Sequence, residues 1–157
     1  MDPIKRLAKF LATVAGAGYT PLLPGTAGTV VAVPLALALA AVADHWGVAA
    51  YLTALLAVVV LALWSAGVMA RETGQHDPSV VVVDEVAGYL LAMAFLAPTW
   101  EHLLAAFLLF RLFDITKPPP CRRMEKLAGG LGIVADDLVA GIYANLALRL
   151  AQAFPAW

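Results

Sequence analysis

Long apolar runs separated by short polar turns make up most of this chain. Thr29 to Ala43 is an Ala/Leu/Val run interrupted by Pro34, a residue that a helix tolerates near its first turn or as a kink. The run ends at Asp44-His45-Trp46-Gly47. From Gly47 to Ala70 there is no charged residue, and about 20 apolar residues suffice to cross the hydrocarbon core, so this is the firmest expected transmembrane segment. Val86 to Ala97 and His102 to Phe113 are shorter runs joined by the turn Pro98-Thr99-Trp100-Glu101. At about 1.5 Å per residue each reaches only part way across a core of about 30 Å; they span with the help of their polar ends or line the bundle interior. Leu138 to Phe154 is the last expected helix, with Asp136 or Asp137 as N-cap and first-turn acid. Val80 to Val83 has β-branched character but is short and has no partner run. The pattern predicts an all-α fold, a compact bundle of about five helices.

Composition moves that bundle into the bilayer. The chain is 62% hydrophobic and 13% charged, with a mean hydropathy of +0.86, far from an ordinary soluble domain. A polytopic membrane protein is expected. The 157 residues contain no charged linker or low-complexity stretch and read as a single domain, 1–157. A net charge of -1 without a basic stripe gives no case for nucleic acid. Cys121 is the only cysteine, so there is no intrachain disulfide and no zinc-type spacing. Phe10 to Ala17 follows Lys5, Arg6 and Lys9 in the manner of a signal peptide. The stretch is short and Pro21 to Gly25 follows closely, so it is read as retained.

Charge then orients the chain. With Lys5, Arg6 and Lys9 on the cytoplasmic side, five crossings put Thr20–Gly28, Arg71–Asp84 and Lys117–Asp136 on that same side. The turns Asp44–Gly47 and Pro98–Glu101 fall on the other, where Trp46, Trp100 and Trp157 read as interfacial anchors, and His45 and His102 as interface residues. Lys117, Arg122, Arg123 and Lys126 agree with this placement. The segments rich in Gly, Pro and carboxylates therefore share one face.

Six acids, Asp77, Asp84, Glu85, Asp114, Asp136 and Asp137, lie on that face. Ionised groups near hydrocarbon persist mainly when paired, bound to metal or facing a polar cavity, which makes a divalent-metal site the first hypothesis. Asp84-Glu85 at a helix start serves either as an oxygen-ligand pair for hard cations or as capping acids. Arg111, Asp114 and Lys117, spaced i, i+3 and i+6, either bind phosphate oxygens around an orienting Asp or form a salt-bridge ladder. Pro24-Gly25-Thr26-Ala27-Gly28-Thr29 reads as a turn before a helix, either structural or an anion cradle. Gly129 to Gly132 reads as a flexible turn leading into Asp136-Asp137. Asp137, Gly141 and Asn145 form a small polar stripe that helix packing alone also explains.

Four motifs stand in order: Pro24-Gly25-Thr26-x-Gly28-Thr29, Asp84-Glu85-x-x-Gly88, Arg111-x-x-Asp114-x-x-Lys117-Pro118, and Gly129-Gly130-x-Gly132-Ile133-x-x-Asp136-Asp137-x-x-Ala140-Gly141. In this the chain resembles the phosphatidylglycerophosphatase A family from about Gly18 to about Asn145, with Thr29 where Ser is common and Pro78 after the His76-Asp77 pair. The resemblance implies a magnesium-dependent enzyme of the bacterial inner membrane. It would remove the terminal phosphate of phosphatidylglycerophosphate on the cytoplasmic side, yielding phosphatidylglycerol and inorganic phosphate.

Combined with the residues, this gives an expected division of labour. Asp84, Glu85, Asp136 and Asp137 hold one or two Mg²⁺ ions that polarise the phosphate and acidify water. Arg111 and Lys117 neutralise equatorial oxygens, and Gly25, Thr26, Gly28 and Thr29 cradle the phosphate. Asp114 is ligand, general acid or nucleophile. Another lipid phosphate is the alternative substrate. A small cation or proton transporter is the rival class, and it predicts carboxylates within the spans rather than at helix ends.

Overall fold

The computed structural model describes residues 2–153. Its helices are α1 (Pro3–Ala12), α2 (Pro24–Thr73), α3 (Val83–Ala92), α4 (Trp100–Thr116), α5 (Cys121–Met124) and α6 (Gly130–Gln152), with a 3₁₀ turn at Ala17–Tyr19. No strand occurs among the described residues, and the Val80–Val83 run leads straight into α3.

Helix α2 is two helices in one. Gly47, at φ 81 and ψ 175, breaks it into arms 24–46 and 48–73, a conformation glycine reaches without steric penalty. Val31 and Leu35 of the first arm share a groove with Val58 and Leu61 of the second, so the arms fold back on each other as an antiparallel hairpin. Pro34 lies inside the first arm. The Gly47–Ala70 run of the sequence is the core of the second.

Two helices, Pro24–Thr73 and Gly130–Gln152, are long and apolar enough to cross a membrane. Their outward faces carry Val30, Leu37, Leu52, Leu56, Val60, Ile142, Leu146 and Leu150, and α4 adds Leu104, Leu108, Leu112 and Ile115 on one side. A bundle apolar outside as well as inside suits a hydrocarbon solvent. The protein is membrane-associated.

Helix α3 is the centre of the bundle, packed against α2 and α6 and buried along most of its length. It is shorter than the apolar run that encodes it, ending at Ala92 where Met93 closes the last turn. Its far end is held by side chains. Asn145 Nδ2 donates to the carbonyls of Ala92 (2.8 Å) and Ala94 (2.9 Å), and Arg149 Nη2 donates to Ala94 (2.9 Å). These bonds satisfy carbonyls that a helix C-terminus leaves orphaned. Asn145 thus takes the packing role rather than a chemical one. Midway, α3 crosses α6 where a Cβ on Gly141 would collide with the Gly88 carbonyl, so the polar stripe is a close helix crossing. Tyr89 donates to the Leu103 carbonyl (2.9 Å) and meets Phe110 edge-on at 6.4 Å, tying α4 to the same core.

Three expectations about helix starts need correction. The Pro24–Thr29 segment is not a turn before a helix; Pro24 occupies the first helical position of α2 and both glycines lie inside it, since proline's fixed φ suits that position. Asp136 and Asp137 are not caps, because α6 begins at Gly130 and no acid lies in its first turn. Gly130 and Gly132 do not make a flexible turn either. A Cβ on Gly130 would strike the Leu63 carbonyl, and one on Gly132 the Leu127 carbonyl, so these glycines exist for close packing inside a helix.

Helix α1 was not foreseen. Asp2 caps it by accepting from the Ile4 N–H (3.0 Å), Ala8 and Ala12 pack inward, and Lys5 pairs with Glu72 at 2.8 Å. Ile4, Leu7 and Phe10 face outward. The turns Asp44–Gly47 and Pro98–Glu101 do converge at one end, since Asp44, Tyr51, Phe95 and Pro98 line a common cavity there. Trp46 and Trp100 are exposed at that end; Trp157 and Phe154 lie outside the described residues. His102 is bound to the Ala97 carbonyl (2.8 Å) and His45 stacks edge-on with Trp46.

Candidate active site

At the opposite end, the starts of α2, α3 and α6 and the end of α4 surround a cavity of about 180 Å³. Its wall is made by Pro24, Gly25, Asp77, Ser79, Val81, Asp84, Glu85, Asp114, Lys117, Ile133, Asp136 and Asp137. All six acids singled out in the sequence therefore meet at one place, although they come from segments up to 60 residues apart (137 − 77).

Each element delivers its acid for a local reason. Asp84 and Glu85 occupy the first turn of α3, where the helix dipole favours negative charge. Asp136 and Asp137 are two turns into α6 and reach the cavity because the glycine contacts draw that helix against α2 and α3. Asp114 sits in the last turn of α4. Lys117 caps that helix with φ 45, a left-handed turn that ends the helix beside the cavity. Asp77, exposed, stands at the mouth.

Two kinds of contact divide the cluster. Asp84, Glu85 and Asp137 bring one carboxylate oxygen each to within 4.8 Å of one another. Asp114 and Asp136 are instead paired: Arg111 Nη1 donates to Asp114 Oδ2 at 2.6 Å and Lys117 Nζ to Asp136 Oδ2 at 2.7 Å. Arg111 also stands 3.9 Å from Glu85 Oε1, and Lys117 3.4 Å from Glu125. Such charge-assisted bonds hold both cations in fixed positions.

The trio is electrostatically unfavourable as it stands. Burial, and then the neighbouring charges of Glu85 and Asp137, push the Asp84 carboxyl well above the ordinary carboxylate range. Glu85 is raised too, chiefly by burial. Burial works against the Lys117 ammonium, yet the bond to Asp136 outweighs it and holds the group protonated above its usual range.

Hydrogen bonding points the same way. Asp84 Oδ1, Glu85 Oε2, Asp136 Oδ1 and Asp137 Oδ2 are buried without a hydrogen-bond partner among the described residues, as is Arg111 Nε. Buried polar atoms are normally satisfied, so each orphan asks for an explanation. Four orphaned carboxylate oxygens around one small cavity form a donor set that suits a hard divalent cation.

Not every expected residue reaches the cavity. Gly25 does: a Cβ there would collide with Glu85 Oε1 and come within 2.9 Å of Arg111 Nη1, so the missing side chain is what lets the acid and the guanidinium approach. Gly28 packs against Val82, and the buried Thr29 hydroxyl donates to the Gly25 carbonyl (2.9 Å). Arg111 stands behind the wall, touching it through Asp114 and Glu85; Thr26, Gly28 and Thr29 are not on the cavity wall either. These last three residues belong to α2. They shape the start of α2 that presents Gly25. Ser79, Val81 and Ile133 line the cavity and were not foreseen as site residues; their uncharged side chains carry no chemical signal in one sequence, even for Ile133, which stands in the last of the four motifs.

Comparison with known proteins identifies the family. A 34% identical relative, "Phosphatidylglycerophosphatase A" of Haemophilus influenzae, aligns over 158 residues, 96% of this chain and 95% of its own. The protein of the same name from Escherichia coli is 34% identical over 84% of this chain and 76% of its own. A Bacteroides thetaiotaomicron protein named "Putative phosphatidylinositol-3-phosphatase" is 36% identical over 93% of this chain and 94% of its own. No solved structure matches. The family profile described as Phosphatidylglycerophosphatase A matches residues 10–152, a span holding every charged residue of the cavity, and the chain belongs to that family of phosphatases.

Proposed function

We propose that this protein hydrolyses the terminal phosphomonoester of phosphatidylglycerophosphate in a Mg²⁺-dependent reaction, at the cytoplasmic face of a bacterial inner membrane that it crosses several times. The observation that carries the reading is the set of four unpartnered buried carboxylate oxygens facing one cavity beside two fixed cations. The family and the names of its relatives supply the substrate class.

Asp84, Glu85 and Asp137 would hold the cation, with the free oxygen of Asp136 completing the donor set. Bound Mg²⁺ supplies Lewis-acid polarisation of the phosphoryl oxygens and neutralises their charge. The chain's own residues do the rest. Arg111, clamped on Asp114 and 3.9 Å from Glu85, fixes a positive charge behind the cavity wall, where it would offset phosphoryl charge. Lys117, clamped on Asp136, adds a second fixed positive charge, and neither has to reorganise as charge develops. Asp114 is committed to Arg111 at 2.6 Å, which favours a positioning role and leaves in-line attack to water.

The deciding assay is phosphate release from phosphatidylglycerophosphate in detergent micelles, with Mg²⁺ and with EDTA. Phosphatidylinositol 3-phosphate, phosphatidic acid and a soluble phosphomonoester serve as comparisons. Fast, chelator-sensitive release from the first lipid is expected. Preference for the inositol lipid would transfer the assignment to the substrate class named for the Bacteroides relative, and no release from any would refute phosphatase action. Hydrolysis in ¹⁸O-water should place one label in each phosphate without a trapped phosphoenzyme; an aspartyl-phosphate would make Asp114 the nucleophile.

A further inference from the structure

On the other side of the α3 first turn, away from the acids, lies a groove of about 300 Å³. Phe10 and Val14 form one wall, Val31 and Val58 of the α2 arms the floor, the exposed Leu35 the rim, and Val83 and Val86 the end nearest the site. Its volume is at the lower end of the range of about 300–1,000 Å³ for small-molecule sites.

The geometry points to this groove as the seat of one acyl chain of the lipid substrate, an assignment that rests on the lipid phosphatase reading above. Three observations select a hydrocarbon chain over other occupants. Val83 and Val86 bracket Asp84 and Glu85 in sequence, so a single helical turn separates the groove from the acidic cavity. A ligand whose phosphate reaches the acids has an apolar channel one turn away for its tail. The groove opens on the apolar face of α1, where Ile4, Leu7 and Phe10 are exposed and lead into the outer apolar surface of the bundle. Finally, the exposed Lys9 lies on α1, the helix that carries Phe10 into the groove wall, with its ammonium 5.7 Å from the Tyr19 ring centre. That helix therefore offers a cation suited to the phosphodiester of a diacylglyceryl head group.

The groove therefore sets chain-dependent affinity, and α1 serves as its outer wall. The test uses full-length protein in detergent and two phosphatidylglycerophosphates with the same head group, one with long acyl chains and one with short, water-soluble chains. Leu35→Trp fills the groove from its exposed rim, where folding tolerates bulk, and Val58→Phe fills it from the floor. Leu56→Phe, on the outward face of the same arm, is the control. The expected result is about a tenfold fall in kcat/KM for the long-chain lipid in both groove variants, with the short-chain lipid and the control unchanged.

Equal effects of Leu35→Trp on both lipids, or none on either, would overturn the groove assignment while leaving the phosphatase reading intact. A change of oligomeric state with equal loss on both lipids would make the groove a contact between two copies instead. Absence of phosphate release by the unmodified protein from both lipids would refute the phosphatase reading itself, and the groove assignment with it.

Discussion

The two ends of this bundle each enclose a cavity, and the larger is the less chemical. At the turn end, about 320 Å³ is lined by Ala, Leu, Met and aromatic side chains with Asp44 as the single charged group. At the acidic end, about 180 Å³ holds five aspartates, one glutamate and one lysine. An apolar cavity lined by one acid desolvates almost no charge. Concentrated buried charge costs several kcal/mol per ion and persists only where something repays it. Charge density in a cavity, not volume, marks the working end.

This contrast can be broken most sharply by neutralising the unpaired acids. Asp84→Asn should cut phosphate release by about a thousandfold or more, while in EDTA its melting temperature should equal or exceed that of the parent protein. A folded, active variant would remove Asp84 from the site.

Gly25→Ala comes next, with an expected loss of about a hundredfold from the clash with Glu85 and Arg111. Helix propensity alone would make this change stabilising by about 0.5–1 kcal/mol. A more stable and fully active variant would show that the cavity does not need Gly25.

Lys117→Met strands Asp136 and removes a fixed charge; a fall of about ten- to a hundredfold in kcat is expected, with partial recovery in Lys117→Arg. Recovery to the full rate would mean that the charge matters without its geometry.

A smaller and purely thermodynamic effect follows from the raised carboxyls. A folded-state pKa above the unfolded value means that the ionised form opposes folding. In chelator, Asp84 should begin to destabilise the protein as pH rises past 3.8, its ordinary value, with the penalty complete above its raised folded value. The melting temperature in EDTA should thus fall as pH rises above the ordinary carboxylate range, and Mg²⁺ should reverse the fall. The same pH profile with and without Mg²⁺ would argue against cation binding by these acids.

At the other end, Asp44→Asn should change activity by less than about twofold. A larger loss would give the turn-end cavity a share in the reaction.

Much of this arrangement was legible in the sequence, for a physical reason. Acids such as Asp84 and Asp137 are conspicuous in so apolar a chain, and alternation of sides brings their segments together whatever the details of packing. Helix starts were less legible. Gly130 and Gly132 resemble turn residues until the carbonyls of Leu63 and Leu127 are seen against them, and no local pattern reveals the first of these contacts, made 67 residues away (130 − 63). Thr29 misleads for a local reason, since its hydroxyl turns to the Gly25 carbonyl of its own helix. Helix α1 hid because its apolar positions, Ile4, Leu7, Ala8 and Leu11, are interleaved with Lys5, Arg6 and Lys9. That pattern reads as a targeting signal unless its helical period is counted.

The clamp at the far end of α3 bears on how the chain can vary in length. The helix is anchored at its start by the Val82 N–H bonded to Ala12 (2.9 Å) and at its end by Asn145 and Arg149. One residue gained or lost between those anchors would turn Asp84 and Glu85 by about 100° against Asp137. Insertions and deletions are therefore forbidden along α3. At Gly47, where the arms of α2 meet far from the acidic cavity, the chain is free to lengthen or shorten over generations without disturbing the chemistry.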